Sequence, residues 1–328
     1  MAGFRDMACI AAVLTVLAGS SAAAEKWDMP VAYAESNYHT QLDKMFAEAV
    51  GVATDGALEV VVHSGGSLYK GDEIKRAVQT GQALIGERLL SAHENETPLY
   101  AFESQPFLAT TFDEAAVLWE AAKPIVERTM REQNLVLLYS VPWPPAGIFT
   151  DRPLNSAADL DGVKIRTFNP ATARIAEMSG AIPVQIEAAE LTQALATGIA
   201  EGFISSAPTG VDRKVWEHLT HYYDVGFWIA RNFVFANKDA WEALDEGKRN
   251  AIRGVAVMTE QAGIFRTKQL ADWYKSELAR NGMTVGPAGE ELREDFAKIG
   301  EAMLDTWLER VGDDGRTLVE AYRKGLPQ

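Results

Sequence analysis

The sequence predicts an α/β fold in two lobes, each a mainly parallel sheet flanked by helices. Three observations predict it. From Trp27 onward, short alternating or apolar runs take turns with amphipathic stretches, and that alternation with short connections places strands side by side under covering helices. The pattern breaks at 140–147, SVPWPPAG, where three prolines and a tryptophan intervene before a second strand and helix series begins. The chain of 328 residues, 47% hydrophobic and 23% charged, has ordinary globular composition at a length that supports two cores.

A strand over 27–33 opens the first lobe, then an amphipathic helix over 38–53 and an alternating strand over 58–63, which Ser64-Gly65-Gly66 ends. A helix over 72–80 and a buried strand over 83–86 follow. A long helix over 112–132, interrupted by Pro124, leads to a strand over 135–139. Beyond the proline-rich break, Asp161-Gly162 makes a turn, 163–166 alternates as a half-buried strand, and Asn169-Pro170 opens a helix. The next strand reads at 182–184; a helix from about 188 to 197 ends at Gly198, and a strand spans 202–205. The largely apolar run at 226–237, GFWIARNFVFAN, reads as one long strand returning between the lobes. The remainder is nearly all helix, with Asp239 and Glu242 as a capping pair and Gly282, Gly286 and Gly312 as punctuation.

Residues 1–24 carry Arg5 ahead of an apolar run from about 7 to 17 and a small-residue tract ending in Ala22-Ala23-Ala24. That is the pattern of a cleaved secretory signal, and the run is shorter than the ~20 apolar residues of a membrane span. The single cysteine, Cys9, lies inside this segment. After cleavage, disulfides, thiol catalysis and cysteine-ligated zinc are therefore not expected. The net charge of -15 argues against nucleic acid or an anionic membrane as partner.

Local charge differs from the total. Between 151 and 177, Asp151, Asp159, Asp161 and Glu177 are balanced by Arg152, Lys164, Arg166 and Arg174. Arg166 stands at the end of a short strand backed by helices. Its planar fork of donors matches a carboxylate in two parallel hydrogen bonds, and the competing reading is a structural ion pair with Asp161 or Glu177. Catalytic patterns are thin, and no enzyme is expected. Gly66 and Gly71 have phosphate-loop spacing, but Asp72 stands where lysine is needed. His218 and His221 are three apart, the wrong spacing for a metalloprotease helix.

The DLDGVKIR block at 159–166, His39-Thr40, Gly65-Gly66-Ser67-Leu68, Lys70-Gly71, Gly81 in AVQTGQALIG and Pro106-Phe107-Leu108 form an ordered set. In that set the chain resembles the solute-binding proteins of tripartite ATP-independent periplasmic (TRAP) transporters, the DctP family. The resemblance covers nearly all of the chain after the signal. It implies a periplasmic-binding-protein fold with lobes at 25–145 and 146–236, and a helical segment at 237–328 that packs across both and completes the first. It also implies an arginine at 166 that clamps a substrate carboxylate, membrane partners of one large and one small subunit, no cofactor and a periplasmic location. The sialic-acid-binding branch carries a further arginine near the position of Ala146 and an asparagine at that of Ser205 or Ser206, so this second anchor is not carried over.

Aromatic residues replace it. Trp143, Phe149, Phe168, Trp228 and Phe233 are candidates to wall the cleft around an organic acid. Asn169 opens the helix after the strand of Arg166 and Ser205 ends the strand at 202–205, while Tyr33, Asn37 and His39 lie at or after the end of the first strand and Glu87 follows the strand ending at Gly86, where open α/β sheets bind ligands. The alternatives are a zwitterionic or quaternary solute in an aromatic cage, an ABC-type or sensor-associated receptor, and a periplasmic enzyme.

Overall fold

The computed structural model describes residues 24–327, so the signal-peptide reading of 1–24 and Cys9 fall outside it except for Ala24. The chain begins with strand β1 (Glu25–Pro30), helix α1 (Tyr38–Ala53), strand β2 (Leu58–His63), helix α2 (Gly71–Gln79) and strand β3 (Ile85–Leu89). α1 starts where it does because the extended Asn37 accepts the backbone N–H of His39 with its side-chain oxygen. β1 and β2 pair in parallel, and a bridge between Val31 and Glu87 places β3 beside β1. Two 3₁₀ turns, Leu90–His93 and Pro98–Ser104, lead to α3 (Phe112–Glu132), which Thr111 and Glu114 cap by reciprocal bonds. Pro124 does not interrupt α3. It lies on the exposed face, as does Glu120 four residues earlier, so water can serve the carbonyl that the proline leaves without a donor.

β4 (Leu135–Pro142) ends at the proline-rich segment, and β5 (Ala146–Thr150) starts just beyond it. Then come β6 (Lys164–Thr167), α4 (Pro170–Met178), β7 (Ile182–Gln185), α5 (Leu191–Ala196), β8 (Gly202–Ser206), α6 (Ala207–Asp212) and β9 (His221–Asp224). β10 (Arg231–Asn237), α7 (Lys238–Ala243), α8 (Glu246–Arg280), β11 (Thr284–Pro287), α9 (Glu290–Val311) and α10 (Asp313–Gly325) complete the chain.

Two lobes result. In the first, β10 lies between β3 and β4; in the second, the strand order is β11-β9-β5-β8-β6-β7. Parallel pairs join β1 to β2, β6 to both β7 and β8, and β9 to β11. The antiparallel pairs involve β10 and β5, the two strands entered directly from the other lobe. With no crossover helix before them, they enter their sheets from the opposite end.

The return run at 226–237 is strand only from Arg231. Gly226, at φ 69°, turns the chain, and the residues after it bond to the other crossing: Trp143 N–H to Ala230 O at 2.7 Å, Ala146 N–H to Trp228 O at 2.9 Å, and Phe227 N–H to Ala146 O at 2.9 Å. The two crossings therefore form a paired hinge strip. The expected Asp239 and Glu242 cap is replaced by Asn237, which accepts the Ala240 N–H at 3.0 Å. Asp239 instead accepts from Asn134, and Glu242 pairs with Arg131.

α8 has 35 residues, roughly 50 Å of helix, and packs on α1 and β4 in one lobe and on α6 and β11 in the other. Gly263 lets it approach β4, since a Cβ there would stand 2.6 Å from Val141 Cγ2. Apolar packing does not divide cleanly by lobe. One cluster runs from Trp27 and Phe46 through Trp143 and Trp228 at the crossings to Phe149 and Phe203, while another lies under α3 around Trp119 and Phe233.

Candidate ligand-binding site

Arg166 stands near the end of β6, flanked by Val184 of β7 and Phe203 of β8. It is 3% exposed. Its Nε–H donates to Ile186 O at 2.8 Å, and its guanidinium carbon lies 5.1 Å from the centre of the Phe168 ring. No hydrogen bond of its other guanidinium nitrogens occurs among the described residues, and neither Asp161 nor Glu177 pairs with it. Burial pushes its pKa down to about 10, with the Glu187 charge opposing that, so it remains a cation at neutral pH.

The cavity that Arg166 lines has about 600 Å³ of atom-free space, part of it open to solvent. Tyr33 and Arg88 approach from the first lobe, Arg166, Phe168, Glu187 and Ser205 from the second, and Trp143 and Trp228 from the crossings. Thus the predicted residues Arg166, Trp143, Phe168, Ser205, Tyr33 and Trp228 line one cavity. Tyr33 and Trp143 pack edge to face, 5.0 Å between centres. Ser205 and Thr209 share a hydroxyl hydrogen bond of 2.9 Å.

Six predicted residues lie elsewhere. Asn169 caps α4 and donates to Ser91 Oγ at 3.0 Å and Ser104 Oγ at 3.3 Å, tying the lobes together behind the cavity. Asn37 caps α1 and donates to Asp212 Oδ2 of the other lobe at 2.5 Å; burial pushes Asp212 up to about 6. His39 is buried against Trp143 and Tyr38, each ring 4.2 Å away, with Nδ1 3.4 Å from Glu87 Oε1. Glu87 points back to α1, accepts from Asn232 Nδ2 at 2.8 Å, and is pushed up to about 7 by burial. Phe233 packs on Trp119, 5.5 Å between centres, in the cluster under α3. Phe149 is core as well, stacked on Phe203 at 4.3 Å.

Arg88 and Glu187 are the pair that sequence reasoning missed. Arg88 Nη1 donates to Glu187 Oε2 at 3.1 Å and Nη2 to Oε1 at 3.0 Å, a two-pronged bridge from one lobe to the other. Burial opposes the Glu187 charge, but the Arg88 guanidinium prevails and holds its carboxyl below the usual range. The miss is one of parity. A strand that ends at Gly86 puts Glu87 first into the loop, whereas β3 continues to Leu89, and alternate side chains leave opposite faces. Gly71 is part of the same arrangement, because a Cβ there would stand 2.3 Å from Glu187 Oε2 and 2.4 Å from Arg88 Nη1.

Among the described lining residues the charges are therefore Arg88, Arg166 and Glu187, a surplus of one positive charge in a cavity that Tyr33, Trp143, Phe168 and Trp228 help to wall. Residues 30–310 match bacterial extracellular solute-binding protein family 7, DctP. A marine metagenome TRAP solute-binding protein from an unidentified microbe, described as specific for pyroglutamate, is 50% identical; the match covers 92% of this chain and 99% of that one, with a TM-score of 0.91. A Bordetella pertussis extracytoplasmic solute receptor binding pyroglutamic acid is 42% identical over 91% of this chain and 99% of its own, with a TM-score of 0.90. The ectoine-binding periplasmic protein TeaA of Halomonas elongata is 26% identical over 90% of this chain and 89% of its own. With its two lobes, bracing helix and interlobe cavity, the chain belongs to the DctP family of TRAP solute-binding proteins, which are receptors for small organic ligands and not enzymes.

Proposed function

We propose that this receptor takes a small cyclic monoanion of the pyroglutamate class, with Arg166 receiving the carboxylate and Tyr33, Trp143, Phe168 and Trp228 covering the ring. The observation that carries this reading is the charge inventory. Glu187 is spent on Arg88, which leaves Arg166 as the surplus charge among the described lining residues, and one anion balances one buried cation. The 50% and 42% identical structures, described as binding pyroglutamate, support the same class. Ectoine is the second reading, favoured by the TeaA relationship and the aromatic walls. A zwitterion brings no net charge, however, and leaves the surplus cation unbalanced.

The lobes close on the ligand about the paired crossings, 143–146 and 225–230. Closure gives the membrane subunits of the transporter a ligand-dependent surface to recognise, and the differential affinity of the ligand for the closed form drives the shift. Export through the signal at 1–24 places the receptor in the periplasm. A thermal-shift and calorimetric panel of pyroglutamate, ectoine and glucuronate tests the ligand class. Pyroglutamate at 100 times its dissociation constant stabilises by ~2.7 kcal/mol and binds most tightly. Tighter binding of ectoine, or no binding of pyroglutamate, contradicts the reading.

A further inference from the structure

We infer that Tyr33 presents only hydrogen-bond acceptor lone pairs to the cavity, because Asn232 behind it holds its proton, and that the receptor therefore selects acids carrying an N–H donor on the ring. The inference rests on the ligand class proposed above and sharpens it. Trp143 Nε1 lies 2.9 Å from Asn232 Oδ1. An indole nitrogen can only donate, so the amide atom facing it is the oxygen. The amide nitrogen then faces Glu87 Oε1, at 2.8 Å, and donates to it. Tyr33 Oη lies 3.2 Å from the same amide oxygen, which has no proton to give. The Tyr33 hydroxyl is therefore the donor, and its hydrogen points away from the cavity.

Asn232 is 1% exposed and does not line the cavity. It acts as a positioning residue that sets the polarity of a wall it does not form. Among the other acceptors, the Glu187 carboxylate is shared with Arg88, the Trp228 carbonyl with Ala146 N–H and the Ala230 carbonyl with Trp143 N–H, while the lining hydroxyls of Ser205, Ser206 and Thr209 can turn to donate or accept; Tyr33 is the hydroxyl whose polarity a buried partner fixes. The two guanidinium groups only donate. A ligand with a carboxylate for Arg166 and an N–H for Tyr33 satisfies both polarities. A ring oxygen in place of that N–H meets lone pair with lone pair, unless Tyr33 gives up its bond to Asn232.

Pyroglutamate and its lactone isostere, 5-oxotetrahydrofuran-2-carboxylate, differ at that one group. Calorimetry on the full chain is expected to show the lactam binding about tenfold more tightly, the factor of one ordinary hydrogen bond. In Tyr33→Phe the two affinities should converge to within about twofold. In Asn232→Ala the freed hydroxyl can donate to the lactone, so the gap should narrow there too, whereas a merely structural loss weakens both ligands equally and keeps the ratio. Equal affinities in the wild type, or a ratio unchanged in a folded Tyr33→Phe, overturns the inference and leaves the ligand class standing. Binding of neither compound overturns both. The wild-type ratio decides by itself if a variant fails to fold.

Discussion

Arg166 is held as a cation with 3% of its surface exposed, and Ile186 O is its hydrogen-bond partner among the described residues. A buried charge is tolerated when partners are supplied, and here the aromatic face of Phe168 and the opposing charge of Glu187 supply part of that support. Arg88 does something different, neutralising Glu187 so that Arg166 remains available. Replacing it by methionine, Arg88→Met, should leave the Glu187 carboxylate beside the cavity and weaken pyroglutamate binding by roughly tenfold or more, read by calorimetry, because truncating one partner of a desolvated pair costs at least ~2 kcal/mol. Undiminished affinity would show that the surplus charge does not govern binding. Arg166 was legible because it sits in a recurrent block at a strand end. Arg88 and Asn232 were not, because each acts through a partner far away in sequence, Glu187 or Glu87 and Trp143, that only the fold brings near.

At the level of elements, local signals placed the pieces well where turn and cap chemistry marks the ends. α1 and β2 have their expected bounds, and Asn169-Pro170 opens α4 as expected. The signals failed where tertiary partners decide: β3 runs past Gly86 because β10 pairs with it as far as Leu89, and α7 takes its cap from Asn237. Two variants test what the elements do. Gly263→Ala puts a methyl group against Val141 where α8 seats on β4 and should destabilise by about 1 to 3 kcal/mol in urea unfolding, as overpacking does; a neutral result would mean that α8 rides freely over the strand. Asn169→Ala removes the α4 cap and both serine bonds. It should cost about 1 kcal/mol in stability and weaken every ligand by the same factor, since Asn169 ties the lobes without lining the cavity. A selective loss for one ligand would return Asn169 to the binding surface.

For the whole molecule, buried acids set the pH dependence of stability. Burial pushes Glu87 up to about 7, and Glu103 up to about 8 despite the neighbouring Arg231. An acid whose folded pKa is raised contributes stability that is fully present below its unfolded pKa, near 4.5, and is lost as pH rises through the folded value. Buried neutral His39 and His93 act in the opposite sense below about pH 6.5, so the thermal midpoint should fall between about pH 6.5 and pH 8, and Glu87→Gln should flatten the lower part of that slope; a midpoint that rises across this window contradicts the assignment. The two-lobed plan and the bracing helix could be anticipated from alternation and family resemblance, but the continuity of the core through Trp143 and Trp228 could not, because a crossing strip has no periodicity of its own. On the proposed reading, this scaffolding serves Arg166 in the cavity between the lobes. The most direct test is calorimetric titration of pyroglutamate into the wild type and Arg166→Lys. The point charge of lysine cannot reproduce the two-pronged fork, so the account predicts a loss of about tenfold to a hundredfold, whereas equal affinity in the two proteins would contradict it.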